Sequence, residues 1–95
     1  MKKHLLLSGT DVQLALAAHL RALRERGKLS REALAERSTV PAATIKKFEL
    51  TGQVSLRQML LLWQCLDDLG RVHRLTRSAD EHAAMPRTID EVLAT

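Results

Sequence analysis

An all-α fold is predicted by three observations. Hydrophobic residues make up 45% of the chain but aromatics only 2%, so the β-branched and aromatic runs that mark strands are missing. Ala, Leu, Arg and Glu, which favour helices, prevail instead. The apolar positions recur at helical rather than alternating spacing. At 95 residues the chain suits one domain with one compact, largely aliphatic core.

The first helix is expected over about Asp11 to Arg26. Thr10 and Gln13 have the spacing of a capping box, in which the hydroxyl and the amide satisfy free backbone N–H groups reciprocally. Leu16, Leu20 and Leu23 form its buried stripe, and His19 reads as a partly exposed packing residue. Gly27 is expected to end the helix as a left-handed cap.

Two short helices follow. Ser30 offers a side-chain acceptor to the start of the second, whose apolar Ala33-Leu34-Ala35 gives way to polar Glu36-Arg37-Ser38-Thr39. Val40, Ile45 and Phe48 then fall on one stripe of a third helix. Its opening is placed at Val40 or Pro41, because proline has no N–H to lose and its fixed φ suits a first turn. The intervening turn is about three to four residues, the length used by a helix-turn-helix motif. Lys46 and Lys47 give the third helix the basic character of an element lying against nucleic acid.

A fourth helix is expected from about Leu56 to Asp68, after the Thr51-Gly52-Gln53-Val54 loop, with Ser55 and Gln58 as its capping box. Gly70 is expected to break the chain before a basic turn or two at Arg71 to Arg77. The fourth helix carries Leu56, Met59, Leu60, Leu61, Leu62, Trp63, Cys65, Leu66 and Leu69, more than the roughly 100° apolar stripe of a surface helix. A two-fold contact through Met59, Leu62 and Trp63 would cover the excess and give a homodimer. The alternative is that Trp63 packs beneath the terminal segment.

The domain is accordingly assigned to residues 1–77, with the motif at about 30–50, and residues 78–95 to a C-terminal arm. Ser78 to Arg87 is polar and contains Pro86. Thr88 to Leu93 offers a short helix with Ile89, Val92 and Leu93 on one face and a third capping box at Thr88 and Glu91. A helix that short needs a surface to dock on, whether its own domain, a dimer mate or a separate partner.

Charge is uneven. From Arg21 to Phe48 there are eight basic residues against three acidic ones, an excess of five positive charges, whereas the whole chain carries +4. A basic surface around the motif would release counterions from a phosphate backbone; the alternative is an ordinary solvated face with pairs such as Arg21 and Glu25.

Other classes find little support. The leucines after Met1-Lys2-Lys3-His4 are too few for a signal peptide, and no apolar run is long enough to span a membrane, so a cytoplasmic protein is expected. Cys65 lies in an apolar helix and has no partner for a disulfide. His4, His19, His73 and His82 share no metal-ligand spacing with one another or with Cys65, and no phosphate loop or nucleophile motif occurs. Neither an enzyme, a metal nor a cofactor is expected. A helical module that binds only protein is the remaining alternative.

From about Val12 to Leu66 the chain resembles an Xre-type (lambda-repressor-like, Cro/C1) helix-turn-helix domain. The resemblance lies in Leu20-Arg21-Ala22-Leu23-Arg24-Glu25-Arg26-Gly27-Lys28-Leu29-Ser30, in Glu32-Ala33-Leu34-Ala35 and in Val40-Pro41-Ala42-Ala43-Thr44-Ile45-Lys46-Lys47-Phe48-Glu49. It implies a compact domain of four or five helices, with the helix at about Pro41 to Leu50 in the DNA major groove. Arg31 stands where the family usually has Gln, and Thr39 where it usually has Gly, which makes a left-handed turn residue costlier.

The family pattern places Ala42, Ala43, Thr44 and Lys47 toward base edges, and Arg31 and Lys46 toward the DNA backbone. Lys47 can donate to guanine, Thr44 can hydrogen-bond or touch a thymine methyl, and the alanines offer only apolar contact. Much of the specificity would then come from DNA shape and half-site spacing. The Leu-rich fourth helix with Trp63 and the Ile-Asp-Glu-Val-Leu ending are similar to small HipB-like antitoxins. That resemblance implies an autoregulating repressor that binds a HipA-like kinase toxin; other Xre proteins of this size act alone as phage or metabolic repressors.

Overall fold

The computed structural model describes residues 6–77, and within them the chain forms five helices and no strand. The all-α expectation therefore holds, with five helices in an arrangement consistent with a lambda-repressor-like domain. The short helix expected at Thr88 to Leu93, with its capping box, lies outside the described residues.

Helix α1 spans Gly9–Arg26 and starts earlier than Thr10 and Gln13 suggested. Ser8 is the cap: its Oγ accepts from the Asp11 N–H at 3.0 Å, and the Asp11 carboxylate accepts from the Ser8 N–H at 3.1 Å. Both arms of that box are charge-assisted or backbone-directed, and Asp11 also sits favourably at the positive end of the helix. Gln13 is used elsewhere, donating from Nε2 to the Gly52 carbonyl at 3.3 Å.

The end of α1 also corrects the sequence reading. Gly27 lies at φ −79°, and the left-handed residue is Lys28 at φ 58°. Lys28 N–H donates to Glu25 O and Leu29 N–H to Arg24 O, each at 3.0 Å. This pair of bonds is a Schellman motif, which requires the left-handed conformation one residue later than the glycine.

Helix α2, Arg31–Ser38, is capped by Ser30, whose Oγ accepts from Ala33 N–H at 2.9 Å. Helix α3, Ala42–Thr51, follows after Thr39, Val40 and Pro41, the three-residue turn that was expected. Pro41 is the cap residue, with φ −59° and ψ 144°, so α3 opens one residue after it. Thr39 takes the left-handed conformation at φ 66° in spite of its branched side chain. Its N–H donates to Ala35 O at 2.8 Å and its hydroxyl to Ser38 O, while the buried Ser38 Oγ accepts from Val40 N–H at 3.1 Å. Both hydroxyls of the turn and the N–H groups of Thr39 and Val40 thus have partners, and Val40 lies in the core at 1% exposure.

Helix α4, Leu56–Leu66, is capped by Ser55 as expected, with Oγ accepting from Gln58 N–H at 3.1 Å. The helix stops two residues short of Asp68, and the break is made by Asp67 and Asp68 rather than by Gly70. Asp67 Oδ1 accepts from Asp68 N–H at 2.6 Å and Asp68 Oδ1 accepts from Gly70 N–H at 2.9 Å. Short acidic side chains take backbone donors that a continuing helix would need. Gly70 is the second residue of α5, Leu69–Arg74, where a Cβ would meet the Asp68 carboxylate oxygens at 3.2 and 3.3 Å.

The core consists of Ala17 and Leu20 from α1, Leu34 from α2, Val40 from the turn, Ile45 and Phe48 from α3, and Leu62 and Trp63 from α4. Leu16 and Leu23 of the expected α1 stripe pack against it half-buried, as does Cys65. Helices α1 and α2 each pack on both α3 and α4, and α5 packs on α4.

That position accounts for much of the apolar surface of α4, including the three residues of the expected dimer contact. Leu62 and Trp63 are 1% and 5% exposed within the single chain, and Met59 is half-buried against the core. α1, α2 and α5 all pack on α4 and bury Leu62 and Trp63, while Leu56 stays 69% exposed. Trp63 Nε1 donates to Asp68 O at 2.8 Å, the His19 ring lies 5.3 Å away, and the Arg71 guanidinium stands 5.9 Å over the indole. Trp63 therefore packs at the junction of α4 and α5. His19 is tied to the same junction by a 2.7 Å contact from Nε2 to Asp67 Oδ2, which Arg71 also contacts at 2.7 Å. The hydrogen bond from His19, then that from Asp68 N–H, hold the Asp67 carboxyl below its ordinary range.

Candidate nucleic-acid interface

The candidate interface is the outward side of α3. At about 100° per residue, the buried Ile45 and Phe48 fix the inner face, and Ala43, Lys46, Lys47 and Leu50 come out on the exposed side. Ala42 and Thr44 are half-buried flanks of that face. The six residues singled out from the sequence thus divide three ways. Ala43, Lys46 and Lys47 are exposed, Ala42 and Thr44 are partly accessible, and Arg31 is in an ion pair.

Leu50 is a residue that sequence reasoning missed. It is 58% exposed one turn beyond Lys47. The sequence signal was its spacing: Ala43, Lys47 and Leu50 are separated by four and three positions, the neighbours of one helix face.

The C-terminal end of α3 is fixed to α1. Gly52 caps it in the left-handed conformation at φ 79° and donates its N–H to Phe48 O at 2.7 Å. A Cβ on Gly52 would stand 3.1 Å from the Gln13 carbonyl carbon and Cβ and 3.2 Å from Leu14 N. Glycine is needed there both for conformation and for the close approach of two backbones.

The basic excess read from the sequence is partly consumed on folding. The Glu49 side chain, one residue beyond the Arg21 to Phe48 stretch, is only 3% exposed and gathers arginines from two other helices. Arg24, itself buried, donates from Nε to Glu49 Oε2 at 2.6 Å and from Nη2 to Oε1 at 3.1 Å. Its Nη1 donates to Leu29 O at 2.7 Å, binding the turn ahead of α2. Arg31 Nε donates to Glu49 Oε1 at 2.9 Å with its side chain 26% exposed. Arg21 lies 3.9 Å from the same oxygen and 3.1 Å from Glu25, the pair expected from their spacing.

Burial works to raise the Glu49 carboxyl, but the hydrogen bonds from Arg24 and Arg31 outweigh it and hold it below the ordinary carboxylate range. Reciprocally, the bond to Glu49 raises Arg24 further above its ordinary value. Arg26, Lys28, Arg37, Lys46 and Lys47 remain exposed among the basic residues of this stretch.

Such a surface can present cations and a slim helix face. Among the described residues no group of three His, Cys, Asp or Glu side chains is placed to hold a metal ion. No helix among them is long and apolar enough to cross a membrane.

Searches of curated proteins and of solved structures gave no significant match. The family model described as a helix-turn-helix domain matches residues 15–83, which covers α1 through α5 apart from the first turns of α1. With α2, a three-residue turn and α3 at its centre, and most of its length matched, the chain belongs to the helix-turn-helix domain family.

Proposed function

We propose that the chain is a sequence-specific DNA-binding regulator of the Xre type, with α3 entering the major groove. The observation that carries this reading is the outward face of α3, where Lys46 and Lys47 stand exposed while Ile45 and Phe48 anchor the same helix in the core. Ala42, Ala43, Thr44 and Lys47 are assigned to base edges, and Arg31 and Lys46 to phosphates. Leu50 adds an apolar group suited to a thymine methyl. The DNA-binding unit is assigned to residues 1–77 and a separate arm to residues 78–95.

The regulator is proposed to repress its own operon as a homodimer on paired half-sites. Its dimer contact uses surfaces other than Leu62 and Trp63, which the fold consumes. The finer reading, an antitoxin of a HipBA-like pair with a HipA-like kinase as partner, rests on the sequence resemblance alone. Trp63, one of the residues behind that resemblance, is accounted for by the domain's own core.

Fluorescence anisotropy on the duplex immediately upstream of the protein's own gene, over a salt series, tests the proposal. Binding is expected to weaken with salt, to exceed that for scrambled DNA, and to collapse in Lys47→Glu. Weak binding, equal on both duplexes and indifferent to Lys47, would leave a protein-binding module as the function.

A further inference from the structure

We infer that Glu49, an acid buried behind the proposed DNA surface, is a positioning residue for DNA binding that holds the Arg31 guanidinium ready for a phosphate. The inference rests on the DNA-binding reading above.

A buried carboxylate needs one well-placed guanidinium, and Glu49 already has it in Arg24, which bonds both oxygens at 2.6 and 3.1 Å. The Nε of Arg31 is a further donor to Oε1, at 2.9 Å, on a carboxylate side chain that is 3% exposed. Arg31 is therefore not required to neutralise Glu49. What the contact accomplishes is to fix Arg31, a long side chain that would otherwise sample many rotamers.

Its location gives the fixation a use. Arg31 is the first residue of α2, and Glu49 belongs to the last turn of α3. The contact thus spans the two helices of the motif. Arg24 extends the tie, since its Nη1 holds Leu29 O in the turn just ahead of α2. A guanidinium has five N–H donors, and with Nε turned to Glu49 the Nη groups of this quarter-exposed side chain are the ones left to meet an anion. Across the cluster the guanidinium groups of Arg21, Arg24 and Arg31 face the carboxylates of Glu25 and Glu49. One positive charge remains.

Simple electrostatics and positioning predict opposite results for Glu49→Gln. Removing a negative charge near DNA should tighten binding to every duplex and steepen the salt dependence. Loss of positioning should weaken binding to the upstream duplex by about tenfold, the value of a charge-assisted contact. Affinity for scrambled DNA should stay at or above wild type. If the held phosphate contact is lost, the slope of log K against log salt becomes shallower by about 0.9.

Anisotropy titrations of wild type, Glu49→Gln and Arg31→Lys on both duplexes over a salt series decide between them, each variant first checked for its helical signal. Arg31→Lys keeps the charge and leaves the Arg24–Glu49 pair intact, so it remains informative if Glu49→Gln does not fold. The expected result is a fall of about tenfold in preference for the upstream duplex in both variants. A methylphosphonate scan of that duplex should find one position per half-site that penalises wild type and leaves both variants indifferent. Unchanged or higher preference in the folded variants, with the scan unaltered, overturns the inference. If wild type itself shows no salt-dependent preference, the DNA-binding reading has failed instead.

Discussion

Replacing Gly52 by alanine should destabilise the domain by about 2–4 kcal/mol, and two separate costs make up the figure. The backbone at Gly52 is left-handed, φ 79° and ψ 1°, where an L side chain costs about 1–2 kcal/mol, offset by about 0.4–1 kcal/mol because alanine restricts the unfolded chain. The new Cβ would also lie 3.1 Å from two carbons of Gln13 and 3.2 Å from Leu14 N. Those atoms belong to the backbone and first side-chain carbon of α1, which cannot swing aside, so α3 and α1 must separate by tenths of an ångström. Overpacking of that kind costs about 1–3 kcal/mol. Against a total stability of roughly 5–10 kcal/mol for a domain of this size, the loss is large. Urea unfolding followed by circular dichroism measures it, and the melting temperature should fall by about 10–20 °C. Gly9→Ala is the control, because nothing lies within 4 Å of a Cβ there, and it should change stability by less than about 0.5 kcal/mol. Equal, small effects of the two substitutions would refute the claim that Gly52 is required by the approach of α1 to the end of α3.

Thr39→Gly and Lys28→Gly should each stabilise the fold by about 0.5–1 kcal/mol, since both residues occupy the left-handed region that favours glycine; thermal melts check this, and lower melting temperatures would count against it. Glu49 titrates below its ordinary value near 4.5 in the folded state, so its contribution is complete above that value and is lost as pH falls through the lower folded one. Urea midpoints measured from pH 6 down to pH 3 should show that loss in wild type and a shallower acid slope in Glu49→Gln. Leu62→Ala should cost about 3 kcal/mol, as expected of a fully buried leucine, measured by the same unfolding assay. The single tryptophan, Trp63, is 5% exposed in one chain, so its emission should be blue-shifted, shielded from acrylamide and independent of protein concentration. Shielding that appears only at high concentration would instead restore Trp63 to a dimer interface.

The sequence by itself determined the helices and the motif, because the signals that set them are local. Ser30 and Ser55 cap the helices they were assigned, and Leu34, Val40, Ile45 and Phe48 are inside, as expected from apolar spacing. The exposed lysines of α3 follow from the same periodicity, since burying Ile45 and Phe48 turns Lys46 and Lys47 outward. Where several local solutions competed, the sequence misplaced boundaries by a residue or two. Ser8 with Asp11 prevailed over Thr10 with Gln13, the left-handed residue moved from Gly27 to Lys28, and Asp67 and Asp68 interrupted the chain ahead of Gly70. Only the tertiary structure decided what was distant in sequence. Glu49 meets Arg24 and Arg31 across 25 and 18 positions, and no periodicity within one helix encodes that meeting. The apolar face of α4 could have served a second copy or its own domain. The packing of α1, α2 and α5 on it puts Leu62 and Trp63 out of reach of solvent.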